Sequence, residues 1–172
     1  MGFAITSACD GCTSCLRQCP TAAIVGSEGQ VHAIDVRRCI DCGVCGQICP
    51  VDAVLDQHGL LAPRVPRDQR LRPVFDLARC NGCHLCAEFC AFACLKLLGP
   101  RYFGAVYLAE PLQCVSCGDC AAVCLKHAVT MRTLDLRTWS PQAARELALA
   151  TIANDGRPHD AEAAGADTVT SS

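Results

Sequence analysis

Aromatic side chains make up only 5% of this 172-residue chain: one Trp, two Tyr and five Phe. There are only two Met. With so little bulk, one large hydrophobic core is hard to build, so something besides apolar burial must hold the chain together. No run of apolar residues is long enough for a transmembrane helix. The net charge of −2 gives no basic excess, so nucleic acid is not an expected partner. Met1 to Cys15 has neither a basic stretch nor an apolar run of leader type, so no secretory leader is expected and the location expected is the cytoplasm. Met1-Gly2 with Thr6 fits an N-myristoylation pattern, but Phe3 to Thr6 reads as the first strand and is needed in the fold. A Gly-rich nucleotide loop, a Ser/His/Asp set and any acid–base constellation are all missing, so no catalytic residues are expected.

What the chain has in excess is cysteine, 17 residues. Sixteen fall into four runs: Cys9, Cys12, Cys15, Cys19; Cys39, Cys42, Cys45, Cys49; Cys80, Cys83, Cys86, Cys90; and Cys114, Cys117, Cys120, Cys124. Every run reads C-x2-C-x2-C-x3-C. Three thiolates stepped by three residues can wrap one face of an iron–sulfur cube, and the fourth points away to ligate the other cluster of a pair. Structural zinc asks for two Cys-x2-Cys pairs separated by a dozen or more residues, so a zinc-binding interaction module is the remote alternative. A disulfide scaffold would have an even count and less regular spacing. No second Cys of a run is replaced by Asp, so all four sites look complete, and four [4Fe–4S] clusters are the expected cofactors.

The first half, with CDGCTSCLRQCPTAAI followed by CIDCGVCGQICPVDAV, resembles bacterial two-cluster ferredoxins, including Pro20 and Pro50 directly after the last Cys. The resemblance covers about residues 3–60 and again 75–132. It implies electron transfer and says little about the redox partner. In the second half Ala91 and Leu125 replace the Pro, which puts the turn geometry in doubt but not the ligation.

The runs are not equally alike. Runs one and three share a turn dipeptide, Asp10-Gly11 and Asn81-Gly82, whereas two and four share Gly43 and Gly118 after the second Cys. The longest gap between runs is 50–79. Both facts suggest duplication of a two-cluster unit. The assignment is therefore tandem. Cluster I takes Cys9, Cys12, Cys15 and Cys49, and cluster II takes Cys39, Cys42, Cys45 and Cys19. Cluster III takes Cys80, Cys83, Cys86 and Cys124, and cluster IV takes Cys114, Cys117, Cys120 and Cys90. A nested layout, outer runs together and inner runs together as in four-cluster subunits of molybdenum oxidoreductases, stays open.

The fold class expected is α+β: two tandem ferredoxin-like βαββαβ units plus a C-terminal helical extension. The first unit is 1–62, a basic Pro/Arg linker 63–79, the second unit 80–133, a docking helix 134–154 and a disordered tail 155–172. Residues 23–25 and 31–34 flank Gly26-Ser27-Glu28-Gly29, and 95–98 and 105–109 flank Gly99-Pro100, two hairpin signals. A helical turn is expected from the third Cys of each run into the fourth. In the linker, Arg64, Arg67, Arg70, Arg72 and Arg79 outnumber Asp68 and Asp76. The plain expectation is an extended solvated segment, and the functional one is charge compensation for anionic clusters. His84 is expected to face solvent. Cys94, the odd cysteine, aligns with Ala23, Ala53 and Ala128 and should be a small buried residue near a cluster. Ser140-Pro141 marks a helix start with an apolar stripe of Ala144, Leu147, Ala148 and Ile152, packing either back on its own half or on another subunit.

The resemblance extends to the small polyferredoxin subunits beside tungsten or molybdenum enzymes, such as aldehyde oxidoreductase or benzoyl-CoA reductase complexes of anaerobic metabolism. The expected role is an electron-transfer wire between a catalytic oxidoreductase subunit, of tungsten or molybdenum type, and a flavin/NAD subunit or ferredoxin. The alternative is a free soluble polyferredoxin. Self-association through residues 134–154 is a further expectation.

Overall fold

The computed structural model describes residues 2–99, 101 and 104–154, a small mixed α/β arrangement. The first half runs β1 (Ala4–Ile5), α1 (Ser14–Gln18), β2 (Ile24–Val25), β3 (Ala33–Ile34), α2 (Val44–Ile48) and β4 (Val54–Leu55). The second repeats the order with β5 (Leu71–Phe75), α3 (Leu85–Glu88), β6 (Leu95–Leu98), β7 (Ala105–Leu108), α4 (Asp119–Ala122) and β8 (Val129–Thr133), and α5 (Pro141–Asn154) follows. All pairings are antiparallel and two-stranded: β1 with β4, β2 with β3, β5 with β8, and β6 with β7. In each half the outer strands close on one another around an inner hairpin. The two cysteine runs are thereby held face to face.

Each run is bent by the same backbone device. Two and four residues after its first Cys the chain turns left-handed, at Gly11 and Thr13, Asp41 and Gly43, Gly82 and His84, Ser116 and Gly118. One residue of each pair is Gly, and packing decides which. A Cβ on Gly11 would overlap the Gln30 backbone nitrogen, and one on Gly82 the Gly104 carbonyl oxygen, so the inner hairpins of runs one and three demand Gly there. A Cβ on Gly118 would meet nothing, so conformation alone explains that residue. A third left-handed residue stands three past the last Cys of every run: Ala22, Asp52, Ala93 and His127, φ 48–50°. The turns after Cys90 and Cys124, where Pro is replaced, keep the same form. Ala93 N–H donates to Cys90 O and His127 N–H to Cys124 O, as Ala22 N–H does to Cys19 O.

Phe3, Ile24, Ala53 and Val54 with Cys15, Cys45 and Cys49 form the first core, and Leu95, Val106, Leu108 and Val129 with Cys86, Cys94, Cys114 and Cys120 the second. Sulfur thus supplies much of what aromatics do not.

The segment 63–79 is not the solvated linker expected. It contains β5, in register with β8 from Leu71↔Thr133 to Phe75↔Val129. Arg72 is 1% exposed and its guanidinium donates to the carbonyls of Pro111, Arg70 and Arg67 at 2.7–2.9 Å. Burying a charged side chain demands such partners, and the crossing segment and the loop between β7 and α4 together supply them.

α5 begins as expected, with Ser140 Oγ accepting the Ala143 N–H at 3.0 Å. It folds back on β7 and β6 of its own half, and Ala148 is fully buried. Of the two packings expected for the apolar stripe, the described residues show the one on its own half, and the stripe is divided, because Leu147 stays exposed beside buried Ala148. An apolar groove of ≈ 440 Å³ runs beside the helix, lined among others by Phe75, Tyr107, Leu134 and Trp139. The tail 155–172 and the Pro100 position lie outside the described residues.

Candidate metal centres

The αL turns project the first three cysteines of each run toward one point, and the short helices α1 to α4 carry the fourth to the opposite end of the half. Four small cavities result. One is lined by Cys9, Cys12, Cys15 and Cys49 with His32. Another is lined by Cys19, Cys39, Cys42 and Cys45. Cys80, Cys83, Cys86 and Cys124 line the third, and Cys90, Cys114, Cys117 and Cys120, joined by Cys94, the fourth. The four are alike in size and tight, with ≈ 10 to ≈ 20 Å³ of free volume each. No disulfide joins any of the 17 cysteines. Among the described residues no group of three or more side chains converges closely enough for a single metal ion. The quartets surround a volume, and each gives three sulfurs from one run and one from its neighbour in the same half.

The chemistry of these quartets fits a polynuclear cationic core. Burial pushes the Cys45, Cys86, Cys117 and Cys120 thiols up to about 12, and Cys15 and Cys42 upward too. Groups so placed ionise only when positive charge is bound among them, and binding then releases their protons. Backbone N–H groups already aim at several sulfurs. Gly11 and Gly82 donate to Cys9 and Cys80 at 3.5 Å, and Ala23, Ala53 and Ala128 donate to Cys19, Cys49 and Cys124 at 3.2–3.3 Å. Such donors favour the thiolate and lower the cost of placing negative charge on a cluster.

Cys94 stands apart. It is 3% exposed, and its Sγ lies 3.3 Å from Cys90 Sγ. Hydrogen bonding from Cys94 draws Cys90 down to about 5 and Cys114 to about 7, while Cys94 itself, sharing its proton with both, is raised. The odd cysteine is therefore buried, as its alignment with three Ala implies.

Several neighbours escaped the sequence reading. His32 is 2% exposed with Nδ1 3.6 Å from Cys9 Sγ, and nothing in its hairpin marks it. His84, expected in solvent, is buried, since it occupies a left-handed position inside the run. Arg101 closes over this loop, donating to the Cys83 carbonyl and pairing with Glu88. Gln47 bridges the halves, its Nε2 donating to Val115 O at 2.6 Å, while its backbone carbonyl accepts from Val65 N–H. Burial raises Cys42, and the Asp119 carboxylate across that junction adds to the rise. The cavities of runs two and four are thus the pair nearest the junction.

The comparisons agree with this chemistry. Residues 2–50 match the 4Fe-4S dicluster domain family. A protein named Ferredoxin 7Fe from Hydrogenibacillus schlegelii is 43% identical over 56 residues, which is 31% of this chain and 70% of its own length. A ferredoxin from Alicyclobacillus acidocaldarius subsp. acidocaldarius is 37% identical over 70 residues, 40% of this chain and 82% of its own. A shorter match, 46% identical over 46 residues, lies in the indolepyruvate oxidoreductase subunit IorA of Methanothermobacter thermautotrophicus, covering 27% of this chain and 7% of that one. No helix among the described residues is long and apolar enough to cross a membrane. With two ferredoxins matched over more than two thirds of their length and a dicluster domain around runs one and two, the chain belongs to the 4Fe–4S ferredoxin family of iron–sulfur electron-transfer proteins.

Proposed function

We propose that this protein is a non-catalytic electron-transfer subunit built from two tandem dicluster ferredoxin units, with four [4Fe–4S] sites forming a wire inside a larger cytoplasmic oxidoreductase. The observation that carries the reading is the set of four cavities of similar size, each lined by a cysteine quartet from two runs of one half. The ligand sets are those of the tandem assignment. When bound, such clusters accept and release single electrons. The chain's own part is to hold four thiolates per site, aim backbone N–H groups at the sulfurs, and keep the sites in series. The Gln47–Val115 bond and the neighbourhood of Cys42 and Asp119 support the order I, II, IV, III, with II and IV beside the junction. Sites I and III then stand at the ends, where partners load and unload the wire.

The partners inferred are a catalytic subunit of tungsten or molybdenum type at one end and a flavin/NAD subunit or ferredoxin at the other. The exposed Leu147 beside the apolar groove supports a docking role for α5 that survives its folding back. Expression with the neighbouring genes and affinity purification of the intact chain tests this. A large co-purifying oxidoreductase, carrying about 16 Fe on this subunit, is expected, and Leu147→Asp should weaken the association. A monomer that purifies alone and exchanges electrons freely would favour the second reading, a free polyferredoxin, which the two ferredoxin relatives support.

A further inference from the structure

In three of the four runs the fourth residue after the last Cys is Ala23, Ala53 or Ala128, each buried, and each gives the last Cys a backbone N–H alone. In run three that place is taken by Cys94. Ala93, at φ 48°, turns the chain there as in the other runs. Cys94 therefore inherits the donor's position, directly above the sulfur, and adds a thiol pointing into the cavity of Cys90, Cys114, Cys117 and Cys120. Those four already complete a quartet of the same make-up as the other three. A fifth sulfur 3.3 Å from Cys90 Sγ is at hydrogen-bonding distance for an S–H donor and has no iron left to take.

We propose that Cys94 is a positioning residue that donates an S–H···S hydrogen bond to the Cys90 thiolate of site IV, and thereby raises the reduction potential of this centre. This rests on the four-cluster reading above. No bond to iron is broken and the proton stays on Cys94. A donor aimed at a ligand sulfur stabilises the more negative, reduced state and so raises the potential. Sites I to III have no thiol in this position.

The test uses the full-length holo-protein and the variants Cys94→Ala and Cys94→Ser. Iron and sulfide content of the unaltered protein comes first: fewer than about 16 Fe would overturn the four-cluster reading itself. With full loading in all three proteins, reductive titration followed by electron paramagnetic resonance reads the midpoints. Cys94→Ala should shift one reduction equilibrium about tenfold toward the oxidised form, a fall of about 59 mV for one electron, with the other three unmoved. Cys94→Ser, whose O–H still donates, should fall less. Four unchanged midpoints in Cys94→Ala would overturn the proposal. So would the loss of one cluster's iron, which would make Cys94 a ligand.

Discussion

The two halves follow one chain order but reach it by different means. In the first, β1, β2, β3 and β4 are two residues each, and the core beyond its cysteines rests on a few side chains such as Phe3, Ile24 and Val54. In the second, β5 and β8 pair over five residues, β6 and β7 over four, Arg72 clamps three carbonyls, and α5 covers β7. A two-residue pairing contributes little on its own, since isolated two-stranded ribbons are marginal even when longer. The first half therefore depends on ligation across its two runs, whereas the second has acquired polypeptide support. The first half also keeps the family's pattern most closely: the match to the dicluster domain spans 2–50, with Pro20 and Pro50 in place. Support from the chain and departure from the pattern go together.

Removal of iron should expose this difference most strongly. After acid chelation and return to neutral pH, the first half should lose its fold. The amides of Thr6 and Asp35, which bond to Ala53 O and Ala23 O, should then exchange hydrogen at unfolded rates. Those paired between β5 and β8 should stay slower by about a hundredfold. Equal exchange in both halves would end the contrast.

A smaller change tests whether the halves ligate independently. Cys49→Ala should abolish the same centre as Cys9→Ala, costing about four irons and one paramagnetic signal, while both centres of the second half persist. If Cys49→Ala instead removed the centre held by Cys80, Cys83 and Cys86, the pairing would be nested and the halves would not be units.

Much of this was readable beforehand because the chemistry imposes spacing. Sixteen cysteines in four identical runs mark the quartets, and the turn glycines reveal which runs are equivalent, for the structural reason that an inner hairpin lies over Gly11 and Gly82. The hairpin signals at Gly26 and Gly99 and the cap at Ser140 lie where local turn and cap chemistry puts them. What stayed hidden depends on contacts between distant segments. Arg72 looks like one more linker charge until Pro111, 39 residues on, is seen to accept from it. Leu71 to Phe75 includes Pro73 and an Arg, poor strand composition, and becomes a strand because β8 arrives beside it. His84 looks polar and loop-borne, yet its place in the run buries it. The division of the α5 stripe, Ala148 in and Leu147 out, follows from where β7 lies and not from helical period.

The polypeptide support of the second half can be weakened directly. Arg72→Met keeps much of the buried volume but strands the carbonyls of Pro111, Arg70 and Arg67. Stability of the second half should fall by about 3 kcal/mol, read as an earlier denaturant midpoint of the holo-protein. Arg64→Met, at an exposed position of the same segment, should change it by less than about 0.5 kcal/mol. Equal effects would mean that Arg72 is not the clamp.

The smallest expected effect sharpens the comparison from the other side. Leu125 stands where runs one and two have Pro20 and Pro50, and it is 82% exposed, so its side chain contributes little to packing. The turn it belongs to matches theirs. His127 has the φ of 48° found at Ala22, and its N–H bonds to Cys124 O as Ala22 N–H does to Cys19 O. A proline fits a backbone that already holds one elsewhere, and it restricts the unfolded chain. Leu125→Pro should therefore stabilise the second half by about 0.4–1 kcal/mol, with iron content and all four midpoints unchanged. A loss of stability would show that the fourth turn only imitates the first two, and that the second half departs from the ferredoxin pattern in backbone as well as in sequence.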